Sequence, residues 1–328
     1  MIDWQQHFGS VFFKAWENAG FPNQEAYINT YVAQREHQSL PSDWIKNNPN
    51  ISPEVNGVQL FSVYGFGNVI GSVFSDMFGL TAEQKTHASD WCGRFNLGIS
   101  LFDFIADEQE GIAHLTSLPV FETFLNGTTP KPDSLTTAQR LLSKLAAGVL
   151  EEFEQAGLNS TEMKPLFEAE LFLSREKMGL PANLEKVDNA LFLKSAEPFS
   201  LMARYVALQG GEKDETQLFQ FRKVGTALGS LFWIMDDAKD IWTDLNEGHW
   251  NIFLVKAARL APALFHNIDA KIDPQEVAVV LKQHSCAAKL TNEILGELLE
   301  ALSRLNLSPE IKKNGMGLIG ASLWQWLV

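Results

Sequence analysis

Two acidic clusters stand directly behind apolar, aromatic stretches of the chain. One is ISLFDFIADEQEG (99–111), where Asp103 and Asp107 are four residues apart and Glu110 extends the row. The other is FWIMDDAKDIWTDLNEGHWN (232–251), where Asp236, Asp240 and Asp244 recur every fourth residue. A helix turns about 100° per residue, so positions i, i+4 and i+8 drift by only about 80° over two turns. Asp236, Asp240 and Asp244 therefore make one carboxylate stripe, and Asp237 points about a quarter-turn away. Like charges at this spacing repel by a few tenths of a kcal/mol even in water, and burial beside an apolar helix raises the penalty. A hard divalent cation turns that repulsion into coordination, because Mg²⁺ takes carboxylate oxygens together with water and phosphate oxygens. Either stripe alone is equally a solvated helix end. Two of them, each closing an apolar helix, point to the two walls of a metal-bridged pocket. A diphosphate is the guest that such walls suit, with its hydrocarbon on the apolar faces below.

The elements that must carry these residues are helices. TAQRLLSKLAAGVLEEFEQAG (136–157) and KLTNEILGELLEALSRLNL (289–307) repeat apolar residues at i, i+3, i+4 and i+7, and Gly157 stands where a helix stop is expected. Strand-like alternation is nearly absent. Prolines punctuate the helical segments, and NGTTPKPDS (126–134) is the clearest linker. VQLFSVYGFGNVIGSVFSDMFG (58–79) and VGTALGSLFWIMDD (224–237) are too apolar for surface helices, which predicts a place at the centre of a bundle. Gly65, Gly67, Gly71, Gly225 and Gly229 would let neighbours come close. The expected architecture is one all-α domain over residues 1–328, a single large helical bundle of ten or more helices.

Composition narrows the function. With 328 residues, 45% of them hydrophobic and 20% charged, the chain can bury a substantial core. A net charge of −14 argues against nucleic acid or an anionic membrane surface as partner. It allows an anionic substrate where bound cations bridge the two. Two cysteines, Cys92 and Cys286, lack metal-ligand spacing and fit a reducing compartment. Neither a signal peptide nor a transmembrane segment is expected, which predicts a soluble, cytoplasmic protein.

FLKSAEPFSLMARYVALQGG (192–211) is similar to the Lys-Thr segment of the trans-polyprenyl diphosphate synthase superfamily, with Lys194-Ser195 in the matching place. FRKVGTALGSLFWIMDDAKD (221–240) follows that superfamily's Gly-x-x-x-Gly-x-x-Phe-x-x-x-Asp-Asp-x-x-Asp pattern through Gly225, Gly229, Phe232, Asp236, Asp237 and Asp240. The stripe at 236, 240 and 244 equally resembles the second metal motif of terpene cyclases and of squalene and phytoene synthases, and Asp103-x-x-x-Asp107 resembles their first. On residues 95–112 and 185–255 the chain thus resembles the class I isoprenoid synthases. The resemblance implies a helical bundle with a central active-site cavity, a prenyl diphosphate substrate and a homodimer. It also implies three Mg²⁺ ions, two on Asp103 and Asp107 and one on Asp236, Asp240 and Asp244. Lys194 would contact the diphosphate, with Lys239 and Arg222 as weaker candidates.

Chain-elongating members carry an Asp-Asp pair opening the first motif and an Arg-Arg-Gly after it. Here Phe102-Asp103 opens it and Glu110-Gly111-Ile112 follows. Their N-terminal Gly-Lys-Arg has no counterpart before residue 100, and SREKMGL (174–180) replaces their Gly-Gln segment. An ionising metal site without a second anion site predicts a terpene synthase, which cyclises one prenyl diphosphate or eliminates diphosphate from it. The alternative is a prenyltransferase, elongating or head-to-head; a further one is a non-catalytic isoprenoid-binding protein. Phe66, Phe95, Phe102, Phe199, Phe232 and Trp233 are the candidate walls of the hydrocarbon pocket, where aromatic faces stabilise positive charge. Trp324 and Trp326, in the C-terminal LWQWLV, are candidates to cap it.

Overall fold

Apolar residues at helical spacing become helices throughout the described chain, which comprises residues 2–36, 54–55, 58–108, 137–176, 178, 183–265 and 272–327 of a computed structural model. The order begins with α1 (Trp4–Asn18) and α2 (Ile28–Glu36), then a two-residue antiparallel pair, β1 (Glu54–Val55) with β2 (Val58–Gln59). There follow α3 (Leu60–Met77), α4 (Ala82–Glu108), α5 (Thr137–Gln155), α6 (Lys164–Leu173), α7 (Leu184–Ser195) and α8 (Glu197–Gln209). The chain continues through α9 (Glu215–Glu247), α10 (Ile252–Leu260), α11 (Pro274–Gln283), α12 (Cys286–Arg304) and α13 (Pro309–Leu327). The all-α expectation is met. The linker 126–134 and Glu110 lie outside the described residues.

The stop at Gly157 is realised: its φ of +86° is a left-handed conformation open to glycine, and its N–H donates to the Glu154 carbonyl. The helix predicted over 289–307 begins three residues earlier, at Cys286, and ends at Arg304.

The longest element, α9, has 33 residues, or about 50 Å at 1.5 Å per residue. Asp214 caps its start by accepting from the Thr216 N–H, and Gly248 ends it at φ +77°. Helices α8 and α12 lie along α9, while α3 lies along α4. Two glycines set how closely these pairs approach. A Cβ on Gly67 would sit 2.6 Å from the Cys92 carbonyl oxygen, and one on Gly229 would sit 2.7 Å from that of Ala196. The apolar helices predicted to be central are so: Val69, Ile70, Val73 and Phe74 of α3, and Leu228, Leu231, Ile234 and Met235 of α9, are buried. Among the described residues no helix is long and apolar enough to cross a membrane. The frame thus holds α4, α7 and α9 together with their polar ends on a packed apolar body.

Candidate active site

On α9 the helical period does what the spacing requires. Asp236, Asp240 and Asp244 are partly exposed, while Ala238 and Ile241 between them are buried. Burial raises the Asp236 carboxyl above its ordinary value, and Asp240 adds to the shift. Burial likewise pushes Asp244 up to about 6, with Asp240 and Asp236 both contributing. The three carboxylates therefore repel one another in place. Asp237 faces aside, as expected, and ties α9 to the start of α10. Its Oδ2 accepts from the Ile252 N–H at 2.5 Å and from the Trp233 indole at 2.9 Å. Burial holds that carboxyl well above the usual range.

Asp103 on α4 faces Lys194 on α7, Nζ to Oδ1 at 2.9 Å, and the same ammonium lies 2.9 Å from Glu170 on α6. Glu170 is 5% exposed. Burial opposes charge on all three groups. Burial, reinforced by Asp103, drives the Glu170 carboxyl well above its ordinary value. On Asp103 the pull of Lys194 outweighs burial and lowers the pKa. On Lys194 the two carboxylates outweigh burial and raise it. The ammonium also acts on Asp236 and Asp244. Lys194 thus ties α4, α6 and α7 together directly, and α7 packs against α9, which carries the stripe. Asp107 lies on the last turn of α4, where its side chain is outside the described residues.

Sequence reasoning missed two members of this cluster. Glu170 stands in FEAELFL, and its helical spacing from Leu166 (i+4) and Phe167 (i+3), which puts it on the apolar face, is the signal that could have found it. Asn251 caps α10, accepting from the Phe253 and Leu254 N–H groups, while its amide donates to Asp244 Oδ2 at 2.9 Å and to the Asp237 carbonyl at 3.1 Å. It aims Asp244 by a side chain that is 1% exposed.

The aromatic candidates divide. Phe66, Phe199 and Phe232 form one cluster below the stripe, with centroids 5.1 to 6.1 Å apart. Trp326 of α13 joins it, 5.2 Å from Phe66, and its indole donates to Asp236 Oδ1 at 2.9 Å. Trp324 packs instead on Phe13. Phe95 stacks on Trp91 and Phe102 packs on Phe167, each in its own neighbourhood of the core. Trp233 turns toward Asp237 rather than into the cluster.

The basic candidates divide too. Lys239 is exposed and reaches the Trp326 carbonyl at 3.4 Å. Arg222 pairs with Glu197 and donates to Ser200 Oγ, tying α9 to α8. It precedes Asp236 by fourteen residues, about 21 Å along the helix, so it is not brought to the acids.

The donor set suits a hard cation: carboxylate oxygens only, mutually repelling, partly open to solvent. Among the described residues no group of three or more acidic, His or Cys side chains is placed to hold a metal ion. Mg²⁺ does not need such a group, since it keeps several waters and takes one or two carboxylates plus substrate phosphates. The residues present fit a cation completed by phosphate and water.

No protein-family model matches the chain, and no curated protein matches it significantly. Solved structures do. The geranylgeranyl pyrophosphate synthetase of the archaeon Geoglobus acetivorans superposes at a TM-score of 0.58 with 17% identity, covering 92% of this chain and 98% of that one. The geranylgeranyl pyrophosphate synthase of Corynebacterium glutamicum gives 0.56 with 16% identity over 95% and 98%. The polyprenyl synthase of Caulobacter crescentus, complexed with calcium and isoprenyl diphosphate, gives 0.51 with 12% identity over 96% of each chain. At these identities the likeness is one of fold, and it is the isoprenoid synthase fold.

These neighbours overturn the expectation of a terpene synthase. They are chain-elongating synthases of polyprenyl and geranylgeranyl diphosphates, and they side with the prenyltransferase alternative. The expectation failed because it weighed short motifs missing before residue 100, around residues 100–112 and at 174–180. Ionising a prenyl diphosphate needs the same metal site in cyclisation and in elongation, so that site does not distinguish the two.

Proposed function

We propose that the chain is a prenyltransferase, transferring the prenyl group of an allylic diphosphate to an isoprenoid acceptor with loss of diphosphate. The observation that supports this reading is the pairing of Asp103 and Glu170 with Lys194, whose helix packs beside the one that carries Asp236, Asp240, Asp244 and Phe232 of the aromatic cluster. The fold shared with elongating synthases supports it.

Asp103, Asp107, Asp236, Asp240 and Asp244 would hold Mg²⁺, three ions in the full complement. Bound cations supply Lewis acidity, neutralising the diphosphate and stabilising it as a leaving group. The chain's own residues do the rest. Lys194, already held between two carboxylates, directs its ammonium to the diphosphate, and Lys239 lies at the rim. Glu170 keeps Lys194 placed from below, and Asn251 keeps Asp244 turned toward the site. Phe66, Phe199 and Phe232 exclude water and present ring faces to the allylic cation, each contributing on the order of 1 kcal/mol when desolvated. The hydrocarbon enters where Trp326 now packs.

The test is incubation with geranyl, farnesyl or geranylgeranyl diphosphate, with and without isopentenyl diphosphate and Mg²⁺. A longer diphosphate formed only when both substrates and Mg²⁺ are present is expected, and Asp240→Ala should abolish it without unfolding the chain. Hydrocarbon from a single allylic substrate, or no turnover of any pair, refutes the proposal.

A further inference from the structure

A second concavity lies at the other end of α10, outside the acidic site. It has a volume of about 320 Å³ and is lined by Lys256, Arg259 and Leu260 of α10, His284, and Cys286, Lys289, Leu290 and Glu293 of α12. That volume falls at the lower edge of the range for small-molecule pockets, about 300–1,000 Å³. Four of its eight lining side chains are Lys, Arg or His against one Glu. The chain as a whole has 40 acids to 26 Lys and Arg, so this concentration of cations reverses the general balance.

The cations are under-compensated. Asp188 on α7 serves two of them, at 2.6 Å from Arg259 and 3.9 Å from Lys256. Among the described residues neither Lys289 nor His284 has a carboxylate within ion-pair distance. Lys256, Lys289 and the Cys286 thiol line the same concavity. Beside them Leu260 is 42% exposed, a large apolar side chain left open at the pocket rim. Cationic donors next to apolar surface in a small concavity match an anion that carries a short apolar part.

We propose that this pocket binds a small organic phosphate without a metal, the phosphate on Lys256, Lys289 and His284 and the apolar part on Leu260 and Leu290. Phosphate fits the donor set because its several oxygens can accept from three separate cations at once. The contrast with the acidic site is one of charge supply. There, cations must be brought in to hold an anion; here, side chains provide the positive charge. The inference therefore stands apart from the proposed prenyl transfer.

The test uses n-butyl phosphate and inorganic phosphate as probes, titrated by calorimetry into the full chain in excess EDTA. Saturable binding of both is expected, with butyl phosphate the tighter. Lys256→Ala combined with Lys289→Ala should weaken it by at least about tenfold, the scale of lost charge-assisted hydrogen bonds, while Asp240→Ala should leave it unchanged. Cys286 supplies a second readout. Cys286 is 6% exposed and lines the pocket, against 0% for Cys92, so alkylation of the folded chain should be slow and fall on Cys286, and butyl phosphate should slow it further with the same half-saturation. Absence of saturable binding, equal affinity for the two probes, loss of binding in Asp240→Ala, or no protection of Cys286 would each overturn the proposal.

Discussion

Trp326→Phe separates two effects that one side chain combines. The indole donates to Asp236 Oδ1 at 2.9 Å, and its ring packs 5.2 Å from Phe66 and 6.4 Å from Phe232. Phenylalanine keeps an aromatic ring in the cluster and removes the hydrogen bond. A bond to a charged acceptor contributes about 1.5–3 kcal/mol, and the partial exposure of both groups places this one at the lower end, about 1.5 kcal/mol. That is the expected loss of stability in urea unfolding without metal. The same bond occupies an oxygen that a cation would need. Its removal should therefore tighten divalent binding by up to about tenfold, the equivalent of 1.4 kcal/mol. Mn²⁺ titration followed by electron paramagnetic resonance reads that affinity directly, with no need for turnover. A variant that loses stability yet binds Mn²⁺ no better than the parent would refute the competition between indole and metal. Trp326 would then be packing alone.

Three further outcomes follow from the same geometry. Lys194→Met leaves Asp103 and Glu170 facing each other without a cation; breaking a buried pair costs about 3–5 kcal/mol, and the one-third exposure of Lys194 brings the expected loss in chemical unfolding to about 2 kcal/mol, part of it recovered by adding Glu170→Gln. The pH dependence has a definite sign, because burial and the neighbouring carboxylates raise Asp244 to about 6 and raise Asp236 as well. Their contribution to stability is complete below the ordinary Asp range, near pH 4, and is lost as pH rises through about 6; melting scans without metal should fall over that interval, and the rise in melting temperature produced by Mg²⁺ should grow over it. Gly229→Ala would put a Cβ 2.7 Å from the Ala196 carbonyl oxygen, where backbone must shift, so a loss of about 2 kcal/mol by denaturant unfolding is expected, whereas Gly65→Ala meets open space and should be tolerated.

The acid stripe was legible in the sequence because it lies within one helix. The rotation per residue is a local property, so three aspartates at every fourth position must share a face wherever the helix packs. The same holds for the apolar run before Asp236, for the stop at Gly157 and for the aside-facing Asp237. Gly67 and Gly229 were readable as sites of close approach, although not which carbonyl each would meet. The function reading went astray for a related reason. Missing motifs are local signals, while the likeness to elongating synthases is carried by backbone geometry over 92% of the chain or more.

What the sequence by itself determined is therefore the class of fold, the faces of its helices and the chemistry each stripe can offer, since these follow from spacing and side-chain type. The tertiary structure decided the pairings. Glu170 meets Lys194 from twenty-four residues away, Trp326 reaches Asp236 across ninety, and Arg222, on the same helix as the stripe, is claimed by Glu197 instead. Such contacts depend on how helices cross and which side chains reach the crossing. No period in the chain encodes that, because each partner is supplied by a different helix and only packing brings the two together.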